Sequence, residues 1–168
     1  NYDVSKDFNW ATPDYKNYGF AELLDFYTNG NYYWNVTLDD YYKSNLSSIT
    51  LQVTQNCNLR CAYCIYSGSY VNRTHNNKRM QLETAIRAVD FLYHHSSQSH
   101  IISIGFYGGE PLLEFDLIQK VVDYAEELFK GKILQFLMTT NATLLSVEKA
   151  RYLREHKFHL TISLDGPQ

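Results

Sequence analysis

The chain has 168 residues, a formal net charge of −3 and a pI near 6.1. With 45% hydrophobic and 20% charged residues, it has the composition of a globular domain with one core. The slight acidic balance argues against a nucleic-acid partner, and no apolar run is long enough for a membrane span or a signal peptide. Three clustered cysteines do not form a disulfide framework and fit a reducing compartment. We therefore expect a cytoplasmic protein that binds neither nucleic acid nor a membrane.

Residues 1–46 differ from the rest of the chain in composition and in the weakness of their periodicity. Tyrosine and asparagine are abundant there, and we predict an N-terminal appendage that precedes a core at residues 47–168. Two interpretations stay open: the aromatic side chains dock a peptide, or they pack against the core. The chain starts at Asn1 rather than at a methionine and stops at a turn after a strand-like run, so we expect a fragment of a longer protein.

The core begins with an alternation of apolar and polar residues from Ser48, which predicts a half-buried strand. Apolar residues at helical spacing then predict three helices, at about 82–93, 116–128 and 146–156. Ser146 is suited to cap the start of the third helix, and Gly131 suits the end of the second. Apolar runs predict further strands at 101–106, 133–138 and 158–164. This β-α-β-α order requires a parallel sheet with helical crossovers.

The first and fourth predicted strands each have one apolar and one polar face. The polar faces carry Thr50, Gln52 and Thr54 on one strand and His159, Thr161, Ser163 and Asp165 on the other. An open doubly wound sheet buries both of its faces and needs continuous apolar strands. A barrel around a large, hydrated ligand keeps its inner face polar instead. We therefore predict an α/β fold with a barrel-type sheet, incomplete at about four β/α units.

Every unusual segment of the core follows a predicted strand. The cysteine segment Cys57–Cys64 follows the first strand, Gly108–Pro111 the second, Thr139–Asn141 the third and Ser163–Pro167 the fourth. Parallel β/α folds gather their ligands at the carboxyl ends of the strands. Four polar or glycine-rich segments at one edge of the sheet therefore predict a single binding site.

Cys57, Cys61 and Cys64 are the only cysteines of the chain, and their C-x3-C-x2-C spacing suits a metal site. Thiolates bind both iron–sulfur clusters and zinc. A four-iron cluster normally takes four cysteines, so three leave one iron open for another ligand. The alternative is a structural zinc ion with His75 as its fourth ligand, in a non-enzymatic module. That alternative gives no role to the three other segments at the strand ends.

Together these segments resemble the signature motifs of the radical S-adenosylmethionine (SAM) superfamily. Cys57–Cys64 is similar to its C-x3-C-x-Φ-C motif, where Φ is aromatic, and Gly108–Pro111 to its G-G-E-P motif. Thr140–Thr143 resembles a T-N-G-T segment with alanine in place of glycine. Ser163–Pro167 resembles the S-L-D-G-P segment of the branch that modifies peptides and proteins. The resemblance covers residues 49–167 and implies a partial (β/α)6-type barrel.

The resemblance also implies how the cofactors are held. Three irons of a [4Fe–4S] cluster would be bound by Cys57, Cys61 and Cys64, and the fourth iron by the amino and carboxylate groups of SAM. Gly108 and Gly109 would let the backbone approach the methionine part of SAM, since a Cβ would obstruct it. A backbone carbonyl there, or the Glu110 carboxylate, would accept from the SAM ammonium group. Pro111 would stiffen the exit from this loop.

The remaining SAM contacts are implied by the same motifs. Tyr63, the aromatic residue of the cysteine motif, would lie near the adenine. The ribose or carboxylate would be bound by Asn141, Ser163 and Asp165, and Thr140 of the same motif would also belong to the cofactor site. One electron delivered to the cluster, from a reduced flavodoxin or ferredoxin-type protein, would cleave SAM to a 5′-deoxyadenosyl radical that abstracts hydrogen from the substrate.

Within the superfamily, the segment after Cys64 is similar to maturases of ribosomally made peptides. The resemblance thus implies an oxidoreductase that modifies a peptide or protein and forms a thioether or another side-chain crosslink. Anaerobic sulfatase-maturating enzymes share the S-L-D-G-P segment and are the second candidate, with formylglycine as the product. Both groups carry auxiliary clusters in a C-terminal SPASM or twitch domain, whose further cysteines this chain lacks. Either the chain is a fragment or its assignment to this branch is wrong.

Overall fold

The structure is a computed structural model that describes residues 45–66 and 75–164. The predictions for the appendage therefore lie outside the described residues, apart from its last two positions, and so does the one for Asp165. No helix in the described ranges combines the length and the hydrophobicity that a membrane span requires.

Four strands form one sheet, in which each strand pairs in parallel with the next one along the chain. They are β1 (Ser48–Thr54), β2 (Ile101–Gly108), β3 (Ile133–Thr140) and β4 (His159–Ile162). A doubly wound sheet reverses its strand order at a switch point, whereas barrel strands keep the order of the chain. The observed order 1-2-3-4 confirms the predicted α/β class and the barrel-type arrangement of these strands.

Helices connect successive strands, as predicted. They are α1 (Leu82–His94), α2 (Phe115–Leu128) and α3 (Val147–Glu155), and a 3-10 turn at Pro111–Glu114 leads into α2. The Ser146 hydroxyl caps α3 by accepting from Lys149 N at 3.2 Å, which confirms the predicted start. The prediction that Gly131 ends α2 is wrong, because Phe129 N already closes that helix onto Ala125 O at 2.9 Å. Gly131 lies in the following turn with a φ of 91°.

The hydrophobic core lies between one face of the sheet and the helices. On the sheet it contains a group of aromatic rings, in which Phe158 stacks on Phe136 with ring centroids 5.2 Å apart and on Phe106 at 5.8 Å. Fully buried aliphatic side chains of the helices complete it, among them Val89, Leu92, Ile118, Val122 and Leu153. Because the core packs against the sheet, it holds the strands in position, and with them the ends from which the loops at the carboxyl edge begin.

The opposite face of the sheet has mainly polar side chains. Gln52 of β1 pairs in register with Tyr107 of β2, and both side chains are exposed, as is that of Thr50. Thr54, which was predicted on this polar face, is only 1% exposed. The register shifts between Gln52 and Thr54, and this irregularity brings Thr54 beside Gly108 and beneath the cysteine loop.

Candidate functional site

A cleft of about 350 Å³ lies at the carboxyl edge of the sheet, where all four strands end. Its volume falls in the range of small-molecule sites. The cleft brings together residues from each of the four predicted segments: Cys57, Cys61, Tyr63, Cys64, Gly108, Gly109, Thr140, Asn141 and Ser163. The expectation that these segments meet at one edge of the sheet therefore agrees with the structure.

The three cysteines lie in one short loop and form no disulfide, and the loop turns where Cys64 N donates to Cys61 O at 3.1 Å. Cys57 is 7% exposed, while Cys61 and Cys64 are half-buried at the cleft. Backbone amides point at two of the sulfurs, with Leu59 N 3.4 Å from Cys57 Sγ and Tyr66 N 3.4 Å from Cys64 Sγ. Such N–H groups stabilise thiolates, which are the form of cysteine that binds metals.

The zinc alternative lacks an assembled ligand set among the described residues. A single zinc ion needs its ligands to converge within about 2.3 Å of one point, and no three His, Cys, Asp or Glu side chains in the described ranges do so. His75 bonds instead to Arg60, whose Nη2 lies 3.0 Å from His75 Nε2. The same guanidinium donates to the Cys57 carbonyl and so fastens the cysteine loop.

The glycine pair is required by the close approach of the cysteine loop to the end of β2. A Cβ on Gly108 would overlap the Thr54 carbonyl oxygen, and one on Gly109 would overlap that of Asn56. Gly108 also has a φ of 144°, which residues with a side chain rarely adopt. Two backbone bonds fasten the contact, from Gly109 N to Thr54 O at 3.0 Å and from Glu110 N to Asn56 O at 2.9 Å.

The Glu110 side chain is fully buried and joins the end of β2 to the end of β3. Its Oε1 accepts from Leu112 N at 2.9 Å and from the Thr140 hydroxyl at 2.7 Å, and its Oε2 accepts from Asn141 N at 2.8 Å. For the SAM ammonium group, either this carboxylate or a backbone carbonyl of the glycine loop was expected as the acceptor, and the structure shows the carboxylate bonded to protein groups.

The loop after β3 is tied to the cysteine loop by side-chain amides. Asn141 Nδ2 donates to Asn58 Oδ1 at 3.0 Å, and Asn58 Nδ2 donates to the Thr143 hydroxyl at 2.7 Å. The Thr140 hydroxyl accepts from Ala142 N at 3.0 Å, besides donating to Glu110. Ala142 has a φ of 58°, the left-handed conformation that the glycine of a T-N-G-T segment adopts without strain.

The other predicted residues lie around the cleft. Ser163 N donates to Thr140 O at 2.9 Å, which holds the segment after β4 beside the end of β3. Tyr63 is 64% exposed at the rim. Pro111 is buried and begins the 3-10 turn that leads away from the glycine loop.

A polar and aromatic wall below the cysteine loop was not marked by any sequence motif. Gln52 Nε2 donates to the Tyr66 hydroxyl at 2.6 Å, and the Tyr66 ring meets Tyr107 edge to face with centroids 6.2 Å apart. Tyr66 and Tyr107 line the cleft. Only the positions of these residues in the sequence could have indicated them, because Tyr107 directly precedes the glycine pair and Gln52 lies on the polar face of β1.

Three cysteine thiols thus lie in a cleft at the carboxyl edge of a parallel sheet. This arrangement is that of a β/α protein with a candidate thiolate metal centre. A family model, that of the Radical SAM superfamily, matches residues 51–168. The chain therefore belongs to the radical SAM superfamily.

Three relatives differ in what their names describe. The uncharacterized protein MJ0907 of Methanocaldococcus jannaschii is 40% identical over 121 residues, which are 72% of this chain and 39% of MJ0907. A cysteine-type anaerobic sulfatase-maturating enzyme of Clostridium perfringens is 27% identical over 125 residues, 73% of this chain and 34% of that enzyme. A GTP 3′,8-cyclase of the same species is 31% identical over 130 residues, 76% of this chain and 37% of the cyclase.

The chain also matches solved structures. The sulfatase-maturating enzyme anSMEcpe with bound AdoMet and Cp18Cys peptide matches with a TM-score of 0.59 and 28% identity, over 72% of this chain and 31% of that one. The chain thus spans between about three tenths and two fifths of the length of the proteins it matches.

Proposed function

We propose that the protein carrying this chain reductively cleaves SAM and abstracts hydrogen from a peptide substrate. The observation that carries the proposal is the cleft in which Cys57, Cys61 and Cys64 line the same space as the glycine loop and the ends of β3 and β4. Three thiols in one short loop suit a [4Fe–4S] cluster, whose corners each take one thiolate. When bound, the cluster and SAM supply an electron and a 5′-deoxyadenosyl radical.

The residues of the chain then orient SAM and exclude water. Carbonyls of Gly108 and Gly109 would accept from the ammonium group of SAM, Tyr63 would be near its adenine, and Ser163 and Asp165 would bond its ribose or carboxylate. We assign Glu110, Thr140 and Asn141 a different part, namely to hold the loops, because their polar atoms already bond to the protein. Pro111 stiffens the loop exit. A reduced flavodoxin or ferredoxin-type protein delivers the electron.

We propose a peptide as the substrate and a thioether or another side-chain crosslink as the product. The peptide bound to anSMEcpe supports this substrate class, and the polar wall of Gln52, Tyr66 and Tyr107 offers hydrogen-bonding groups beside the cysteines. Formylglycine formation is the second candidate, favoured by the sulfatase-maturating relative. The GTP 3′,8-cyclase marks the alternative of a nucleotide substrate.

Anaerobic reconstitution with iron and sulfide tests the cofactor proposal. We expect a four-iron cluster on the full-length protein and 5′-deoxyadenosine after addition of SAM and dithionite. The variant with Cys57, Cys61 and Cys64 all replaced by alanine should lose four irons relative to the wild type and should form no 5′-deoxyadenosine. His75→Ala is the matched control, since it should keep its iron, whereas a structural zinc site would lose its metal. Stoichiometric zinc without 5′-deoxyadenosine would overturn the proposal.

Mass spectrometry of peptides encoded beside the gene, after incubation with the loaded enzyme, tests the substrate. A thioether crosslink removes two hydrogen atoms and keeps the cysteine sulfur. Formylglycine formation on a cysteine removes the sulfur and creates an aldehyde. If no peptide changes mass while GTP is consumed with 5′-deoxyadenosine release, the peptide proposal is wrong.

A further inference from the structure

The side chain of Asn141 reaches across the cleft edge to the most buried of the three cysteines. Its Nδ2 lies 3.7 Å from Cys57 Sγ and 3.0 Å from Asn58 Oδ1, so one amide group serves both atoms. Asn58 Oδ1 is itself 3.9 Å from the sulfur. A carbonyl oxygen at that distance repels a thiolate, whereas the Asn141 N–H dipole attracts it.

The orientation of this amide is determined by contacts on its other side. Asn141 Oδ1 accepts from Thr143 N at 3.0 Å and from the Thr143 hydroxyl at 2.6 Å. Its backbone N is held by the buried carboxylate of Glu110 at 2.8 Å. With the carbonyl end occupied in this way, the NH₂ end has to face the cysteine loop.

Cys57 is the cysteine at which such a donor has the largest effect. It is 7% exposed, whereas Cys61 and Cys64 are half-buried, and an electrostatic interaction is stronger where water is excluded. Leu59 N already points at the same sulfur from 3.4 Å. Asn141 adds a second donor that comes from a different strand end, 84 residues along the chain.

We propose that Asn141 is a positioning residue that donates a hydrogen bond to Cys57 Sγ and raises the reduction potential of the cluster. The inference rests on the proposed function, in that Cys57 is a cluster ligand. Reduction adds negative charge to the cluster and its thiolates, and hydrogen bonds to the sulfurs stabilise that charge. The residue thereby makes the first electron transfer easier and couples the β3 loop to the metal centre.

Redox titration of the full-length protein, followed by EPR and carried out without SAM, tests the proposal. Asn141→Leu removes the donor at similar size, and Asn141→Asp puts an acceptor in its place. We expect the midpoint potential to fall in both variants, and further in Asn141→Asp. Ser146→Ala is the control, because it removes a hydroxyl whose hydrogen bond caps α3 and leaves the contacts of the Asn141 amide in place, and its potential should equal that of the wild type.

A second measurement uses the wild-type protein and so does not depend on how the variants fold. Asparagine labelled with ¹⁵N in the side-chain amide should give a ¹⁵N coupling in the pulsed EPR spectrum of the reduced cluster. Unchanged potentials in both Asn141 variants, or no ¹⁵N coupling in the wild type, would overturn the proposal. A wild-type protein that binds no cluster at all would instead refute the proposed function.

Discussion

Replacing Gly109 by alanine tests whether the glycine pair serves the packing of the cysteine loop. The new Cβ would lie 2.5 Å from the Asn56 carbonyl carbon and 3.0 Å from Cys57 N, and it would overlap the Asn56 oxygen. Ordinary contacts are about 3.5 Å or longer, so the cysteine loop has to move by about 1 Å. Gly109 itself has no positive φ, so the effect is steric.

The expected loss of stability follows from that movement. It strains the packing by about 1–3 kcal/mol and weakens two backbone hydrogen bonds, Gly109 N to Thr54 O and Glu110 N to Asn56 O, worth about 1 kcal/mol each. We expect the free energy of unfolding to fall by about 3 kcal/mol. Because the loop carries Cys57, reconstituted iron content should fall as well.

Urea unfolding followed by circular dichroism measures the first effect, and iron analysis after anaerobic reconstitution measures the second. Gly131→Ala is the matched control, because nothing lies within 4 Å of its Cβ position and only its φ of 91° opposes the substitution. It should cost about 1 kcal/mol and leave the iron content unchanged. If Gly109→Ala is as stable as the wild type and binds iron fully, the close approach of the two loops has no energetic role.

Three further substitutions have expected outcomes that urea unfolding can check. Glu110→Gln places an NH₂ group against Asn141 N, so we expect the free energy of unfolding to fall by about 2–3 kcal/mol and the iron loading to decrease. An unchanged urea midpoint would show that the buried Glu110 carboxylate does not stabilise the ends of β2 and β3. Ala142→Gly relieves the φ of 58° and should add about 0.5–1 kcal/mol, whereas destabilisation would contradict the strain. Tyr152 has a buried hydroxyl without a hydrogen-bond partner in the described part of the chain, and burial raises its pKa. Tyr152→Phe should therefore be neutral or stabilise the protein by up to about 1 kcal/mol. A clear loss of stability would mean that the hydroxyl has a hydrogen-bond partner.

The local patterns of the sequence were sufficient for the order of elements and for the place of the site. Apolar spacing is a property of neighbours in the chain, and within residues 45–66 and 75–164 it located the four strands and the three helices to within a few residues. Polarity alternation in β1 and β4 favoured a barrel-type sheet, and the strand order agrees, although β4 is exposed at all four of its positions. The four motifs fell at the strand ends, where parallel topology must bring them together.

The sequence could not show what happens where distant segments meet. Thr54 was expected on the polar face, but a register shift beside Gly108 buries it. Glu110 reads in the motif as a ligand for SAM, yet its carboxylate bonds to the loop after β3. Neither outcome follows from nearest neighbours, because each depends on how one loop lies against another.

The sequence alone determined which residues carry the chemistry, since C-x3-C-x2-C and the glycine-rich segment are local patterns tied to strand ends. Only the tertiary structure decided what surrounds them: the Asn56 carbonyl against Gly109, and the Asn141 amide beside Cys57. The physical reason is that hydrogen bonds and steric overlap act over a few ångströms in space. The partners in these contacts come from different strand ends, so the contacts cannot be predicted from the spacing of the residues along the chain.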